Sequence, residues 1–348
     1  MKGQWQKTVL ICVLAVVLVV ALVSGGCAPR EKKPGEMTKV VVAMDWYPYA
    51  GWCDVYIPQV MGWYAEENLE VEFVTAPGRP HRLVGEKTAT FGHGSGNDIY
   101  FIREAGLGVV AVAGDAQGLE WGFYGRVDKN PQLKLDADHR LIDVQEMQGM
   151  TIGGTIGFTT ELVEAFLATT GLKGKLEYVI MESGAKIGSG LAGKIDAFTS
   201  STGTIGYFKD IPGGGWFCDY AQGGIKVLPG MVISAHEDTI RDNPELVEAF
   251  VRAYLKGLKW SMENPQEAAD LLVAAYPKEA EPYRTWYSLQ TYVDFGLFGT
   301  ENTKGKPLGW MSEKDWETTQ GIILEWGRAT TITKRPVSEY FTNEFIPK

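Results

Sequence analysis

Cysteine and histidine are both scarce, with four of each in 348 residues. Cys12 and Cys27 belong to an apolar N-terminal stretch, so only Cys53 and Cys218 are left for a folded part. Two isolated cysteines make no disulfide framework. They read first as small apolar residues, with pairing in an oxidising compartment left open. His81, His93, His139 and His236 show no metal-ligand spacing, so no metal and no cofactor is expected. The chain also lacks a Gly-x-Ser-x-Gly elbow, a Walker-type phosphate loop and a His-Glu-x-x-His pair. Those absences remove the common hydrolase, nucleotide-binding and zinc-protease signatures, and no catalytic residue is expected. No basic run longer than three residues occurs after residue 30, which argues against a nucleic-acid partner.

No apolar run reaches the roughly 20 residues of a membrane-spanning helix. Val9–Val23 comes nearest, with fifteen residues preceded by Lys2 and Lys7. As a helix it extends about 22 Å, and its charged start and small-residue end describe a secretory signal. Ser24-Gly25-Gly26-Cys27 then resembles the lipobox of bacterial lipoproteins, although Ser24 stands where that pattern usually has Leu. The resemblance implies lipidation of Cys27, which would hold the protein at the membrane. Ala28–Thr38 is charged, has two prolines and reads as a solvated tether. The remainder is expected outside the cytoplasm, lipid-anchored to the cell membrane. Residues 1–26 carry two lysines and no acid, so from Cys27 onward 31 basic residues face 43 acidic ones, net −12.

From residue 38 short apolar runs alternate with amphipathic ones. Lys39–Met44, Leu69–Val74, Ala89–Phe91 and Val109–Ala113 read as strands, separated by helices over Val55–Glu66, Arg82–Glu86 and Asn97–Glu104. That order predicts a mostly parallel sheet covered by helices. The grammar restarts at Gly149–Gly153, with strands Glu177–Ile180 and Asp196–Phe198 and helices over Glu161–Thr169 and Lys186–Leu191. "KTATFGHGS" and "KIDAFTSST" occupy matching places in the two halves. Gly213–Gly215 reads as a loop. After residue 232 the character is helical. Leu246, Phe250, Tyr254 and Leu255 form one stripe, behind an Asn243 cap with Pro244 at the first helical position. The fold class is α/β with two lobes. The expected division is 1–26 leader, 27–37 tether, 38–124 with 232–348 as the first lobe, and 125–231 as the second.

In open parallel sheets ligands bind beyond the carboxyl ends of the strands. In the first lobe those ends carry Asp45, Trp46 and Tyr47, and then Ser95, Gly96 and Asn97. In the second they carry Thr155, Gly157, Phe158 and Thr159, and then Thr199, Ser200 and Ser201. Trp52 and Trp121 are expected close by. Aromatic faces, hydroxyls and few charges suit a flat, mostly uncharged small molecule.

"AMDWYPYAGWCDVYIPQVMGWYAEENLEVEFV" resembles the opening of substrate-binding proteins of ABC importers, in the thiamine-pyrimidine-precursor-binding branch. Trp46, Pro48, Gly62, Tyr64, Glu67, Leu69, Val71 and Glu72 carry the match, and "GWMSEKDWETTQGII" and "TNEFIP" resemble the far end. The resemblance implies a type II periplasmic-binding-protein clamshell, with one lobe built from both ends of the chain. It also implies a monomer that captures a small molecule and hands it to permease and ATPase subunits. Pyrimidine binders of this branch carry an acid after the second-lobe strand, where this chain has Thr199-Ser200-Ser201. That departure favours riboflavin or a similar heterocycle over an aminopyrimidine. A sulfonate or other small anion at a helix N-terminus, a pyrimidine-synthase-like enzyme and a purely structural lipoprotein are the alternatives.

Overall fold

The computed structural model describes residues 37–118, 121–155, 158–225, 230–280, 289–326 and 332–348. The leader, the tether and Cys27 lie outside the described residues. Among those described, no helix is long and apolar enough to cross a membrane.

Two five-stranded sheets organise the chain. The first has the order β2-β1-β3-β10-β4, from β1 (Thr38–Met44), β2 (Leu69–Thr75), β3 (Phe91–Ser95), β4 (Val109–Gly114) and β10 (Met231–His236). The second has the order β7-β6-β8-β5-β9, from β5 (Trp121–Arg126), β6 (Thr151–Gly154), β7 (Glu177–Ile180), β8 (Ala197–Ser201) and β9 (Gly215–Asp219). Each sheet has parallel neighbours on one side and one reversed strand in the fourth place, β10 or β5. The chain arriving from the other lobe supplies that reversed strand in both cases.

The two crossings run side by side. Asp115 N–H donates to the Met231 carbonyl (2.9 Å), and Met231 N–H donates to that of Ala116 (3.0 Å). Gly230 is required there, because an added Cβ would sit 1.7 Å from the Ala116 oxygen. β5 lies wholly in the second sheet, so the boundary expected at 124/125 falls inside a strand. The reversed strands were also absent from the expected parallel pattern, because periodicity carries no strand direction.

The strand period of two divides the first lobe's core between the two faces of its sheet. Val42, Met44, Val112 and Ile233 point to one face, Ala43, Ala111 and Val232 to the other. On the first face pack α1 (Cys53–Val60) and α8 (Pro244–Glu263). Phe250 of α8 stacks on Tyr64 (5.2 Å) and Phe91 (4.1 Å), and Tyr254 is fully buried, as the stripe predicts. Pro244 opens α8, but Asn243 makes no side-chain cap hydrogen bond. The helix expected over 55–66 is broken at Gly62, whose φ of +77° ends α1 before α2 (Trp63–Glu66). The opposite face takes α3 (Pro80–Gly85), α4 (Gly96–Glu104) and part of α10 (Glu313–Trp326). The C-terminal segment returns to β4, with Thr342 N–H donating to the Ala111 carbonyl (2.9 Å). The C-terminal segment therefore lies against the sheet that β1 begins.

The second lobe packs Phe123, Phe166, Trp216 and Tyr220 on one face of its sheet and Tyr124, Phe198, Phe208 and Phe217 on the other. Its helices are α5 (Phe158–Thr169) and α6 (Ser183–Leu191). Helix α10 touches both lobes, with Trp316 in the first core and Ile322 against the second. The remaining helices, α7 (Glu237–Asp242) and α9 (Pro265–Ala275), belong to the first. Cys53 in α1 and Cys218 in β9 form no disulfide with each other.

Candidate functional site

The strand ends place the predicted residues unevenly. Asp45 ends the pairing of β1, donating its N–H to the His93 carbonyl (3.0 Å). Its carboxylate accepts from Gly78 N–H (2.5 Å), and burial raises its pKa despite that bond and the nearby His93. Trp46 and Tyr47 then stand out from the fold, 46% and 53% exposed, with their rings edge to face at 5.8 Å. Large exposed rings cost solvent contact unless something covers them. Trp52 behaves differently. It is buried in the first core, edge-on to Tyr49 (5.0 Å) and His93 (5.1 Å), so it supports the turn and does not line it.

β3 continues through Gly92-His93-Gly94-Ser95, residues expected in a loop, because pairing with β1 and β10 outweighs the low strand preference of glycine and serine. His93 is therefore a fully buried strand residue. At the end of β3 the Ser95 hydroxyl accepts from Asn97 Nδ2 (3.0 Å), and Gly96 N–H donates to the Gly230 carbonyl (2.8 Å). The Asn97 side-chain oxygen is buried without a hydrogen-bond partner among the described residues. Next to it, in the first turn of α4, stands Asp98, which the sequence reading missed because an acid there reads as an ordinary helix-start residue. It is half-buried, and burial together with the Asp45 charge pushes its pKa up to about 7.

In the second lobe Thr155 follows β6, and its carbonyl accepts from the Thr160 hydroxyl (3.0 Å). Gly157 and the side chains of Phe158 and Thr159 lie outside the described residues. β8 extends through Ser201, so Thr199 and Ser200 are buried strand residues and not loop hydroxyls, for the same pairing reason as in β3. The Ser200 hydroxyl is 2.5 Å from that of Thr204. Only Ser201 of that trio is half-open, and the reversal of β5 places Trp121 directly across from it. One cation also stands at this end of the lobe. Lys186, in the first half of α6, is 3% exposed, packs its stem over Gly153 of β6 and has no ion-pair partner among the described residues. Burial lowers its pKa to about 8.

The other histidines are structural. His81 is buried with Nδ1 2.7 Å from the Ser234 hydroxyl. His139 is bonded to the Gly215 carbonyl, and the His236 ring accepts from Asp238 N–H at the start of α7. The Ser234–His81 contact is sealed in the first core, with both residues almost fully buried.

Two mixed sheets, each completed by a strand from the other lobe and each bearing polar and aromatic strand ends, define an α/β periplasmic-binding-protein fold. The chain belongs to the NMT1/THI5-like family, whose model matches residues 52–268. It is 27% identical to the riboflavin-binding protein RibY of Chloroflexus aurantiacus, over 92% of this chain and 89% of that one. It is 24% identical to a formylaminopyrimidine-binding protein of Halalkalibacterium halodurans, over 92% and 94%. In fold it is similar to the periplasmic aliphatic sulphonate binding protein SsuA of Escherichia coli, with a TM-score of 0.60 at 11% identity, covering 82% of this chain and 85% of that one.

Proposed function

We propose that this chain is an extracytoplasmic solute-binding protein that captures a small planar heterocycle, riboflavin-like or a thiamine pyrimidine precursor, between its two lobes and delivers it to an ABC permease. The exposed edge-to-face pair Trp46–Tyr47 at the end of β1 carries the reading. Two half-open rings beside a strand end offer flat apolar area, and Trp121 with Ser201 offers the same chemistry on the second sheet. Asp45 and Asp98 add carboxylates suited to the N–H edge of a flavin imide or an aminopyrimidine. On this reading Asp45 and Asp98 take the part of the acid missing after β8, which keeps both ligand classes in play. The relatives named for riboflavin and formylaminopyrimidine support the same class. Binding, rather than turnover, suits strand ends whose Ser234–His81 contact is sealed in the core. The N-terminal signal and Cys27 fit a lipid-held receptor beside its transporter.

A thermal-shift panel of riboflavin, formylaminopyrimidine, nucleobases and an alkanesulfonate tests the proposal. A ligand at 100 times its Kd adds about 2.7 kcal/mol, so riboflavin or the pyrimidine should raise Tm clearly. A panel in which only the sulfonate does so would overturn the heterocycle reading. Lys186 gives that second reading its one specific support, since a desolvated amine without a counter-ion among the described residues suits an anionic group.

A further inference from the structure

Beneath the Trp46–Trp52 turn three ionisable side chains meet inside the first lobe. Asp54 opens α1, His93 lies mid-β3 and Asp115 begins the first crossing, and they are 2%, 0% and 0% exposed. One donor atom from each can be chosen so that all lie within 4.8 Å of one another. His93 Nε2 is 2.7 Å from the Asp115 carboxylate, while His93 Nδ1 and both Asp54 oxygens are buried without a hydrogen-bond partner among the described residues. The Tyr254 hydroxyl and the Val55 backbone lie near Asp54. Neither makes a well-formed bond to it, and the Tyr254 hydroxyl is directed at the Gly114 carbonyl (3.5 Å). No Lys or Arg forms an ion pair with Asp54 among the described residues.

A buried carboxylate without compensation costs several kcal/mol, which Asp54 avoids only by holding a proton or by meeting a cation. We propose that Asp54, His93 and Asp115 form a structural site for a divalent transition-metal ion, Zn²⁺ in the first instance. The donor set is two hard oxygens and one imidazole nitrogen, which suits Zn²⁺ or Mn²⁺. Tetrahedral zinc places its ligands about 3.3 Å apart, so an ion would part the 2.7 Å His93–Asp115 contact and draw Asp54 inward. A dication neutralises both carboxylates and satisfies the unpartnered oxygens of Asp54. The three residues come from α1, β3 and the crossing after β4. An ion there fixes the floor under Trp52, whose ring rests on His93, to the strand that leads into the second lobe.

Metal content and melting of the full chain, purified from cells grown with zinc and manganese, decide the matter. Elemental analysis after gel filtration should give about one ion per chain. EDTA should lower Tm, and added ZnCl₂ or MnCl₂ should restore it. Asp54→Asn, which keeps the shape of the side chain, should lose the metal and its EDTA response, and His93→Gln should do the same if Asp54→Asn folds poorly. Wild-type protein with under about a tenth of an ion per chain, and a Tm unmoved by EDTA or by either metal, would overturn the site. Asp54 and Asp115 would then be held by a shared proton. Metal retained at wild-type level in both variants would overturn it as well, by placing the ion elsewhere.

Discussion

Trp121, the first residue of β5, lies directly across from Ser201, the last residue of β8. Because β5 runs against its neighbours, its beginning meets their ends, and the indole joins the edge of the second sheet to which the proposed function assigns the ligand. The ring is half-buried and packs in part on the second core, so its removal costs stability as well as any ligand contact. Trp121→Ala should weaken riboflavin binding several-fold at a temperature where the variant is folded, measured by titration calorimetry with thermal melting as the control. An unchanged Kd would remove Trp121 from the site.

Trp46 makes the complementary case on the first lobe. At 46% exposure it contributes little to the fold, and stacking on a planar ligand is worth about 0.5–1.5 kcal/mol beyond area burial. Trp46→Ala should raise Kd at least several-fold, and Trp46→Phe should recover part of the loss. Trp52→Ala is expected to act differently. It empties a core position, which lowers Tm by about 3–5 kcal/mol of stability, and any loss of binding follows from that.

How much of this was legible in the residues follows from how far each signal reaches along the chain. The alternation of strands and helices is local, and it gave both lobes and the position of Trp46. The ends of β3 and β8 were misread because Gly92-His93-Gly94 and Thr199-Ser200 have weak strand preference, and only pairing with neighbouring strands settles their state. β5, β9 and β10 were not anticipated as strands, and the direction of β5 and β10 depends on the crossings. Asp54, His93 and Asp115 come from three separate elements and share no spacing pattern, so nothing local announces their meeting. Asp98 was visible but looked like a common helix-start acid.

Asp98 gives a pH signature. Its pKa is raised from the ordinary 3.8 to about 7 by burial, with the Asp45 charge adding to the effect. Between those values the folded state holds a proton that the unfolded state has lost, so stability falls as pH rises through the window. Asp98→Asn should remove that part of the decline and raise Tm at pH 8 relative to wild type. The gain is about 1–2 kcal/mol after allowing for the half-open position. Identical Tm–pH curves for the two proteins would refute the assignment.

The paired crossings predict a backbone effect. An added Cβ at Gly230 meets the Ala116 carbonyl at 1.7 Å, while at Gly184 on α6 it meets nothing within 4 Å. Gly230→Ala should therefore destabilise by about 1–3 kcal/mol or more through overpacking. Gly184→Ala should stabilise slightly, by about 0.5–1 kcal/mol from helix propensity. Equal melting curves for the two variants would mean that the crossings yield freely at Gly230.

Lys186 separates the two ligand readings. Burial lowers its pKa from 10.5 to about 8, so above pH 8 the unfolded state binds the extra proton and stability rises with pH up to about 10.5. Lys186→Met keeps the stem over Gly153 and removes the amine. It should raise Tm at pH 7 by about 1–3 kcal/mol of stability and flatten the curve between about pH 8 and 10.5. Its effect on ligands is the sharper readout. A site for an uncharged heterocycle keeps its riboflavin affinity in Lys186→Met, because the amine meets no charge on the guest. A site for an anion loses affinity for an alkanesulfonate by tenfold or more, since a charge-assisted contact in a desolvated setting is worth about 1.5–3 kcal/mol.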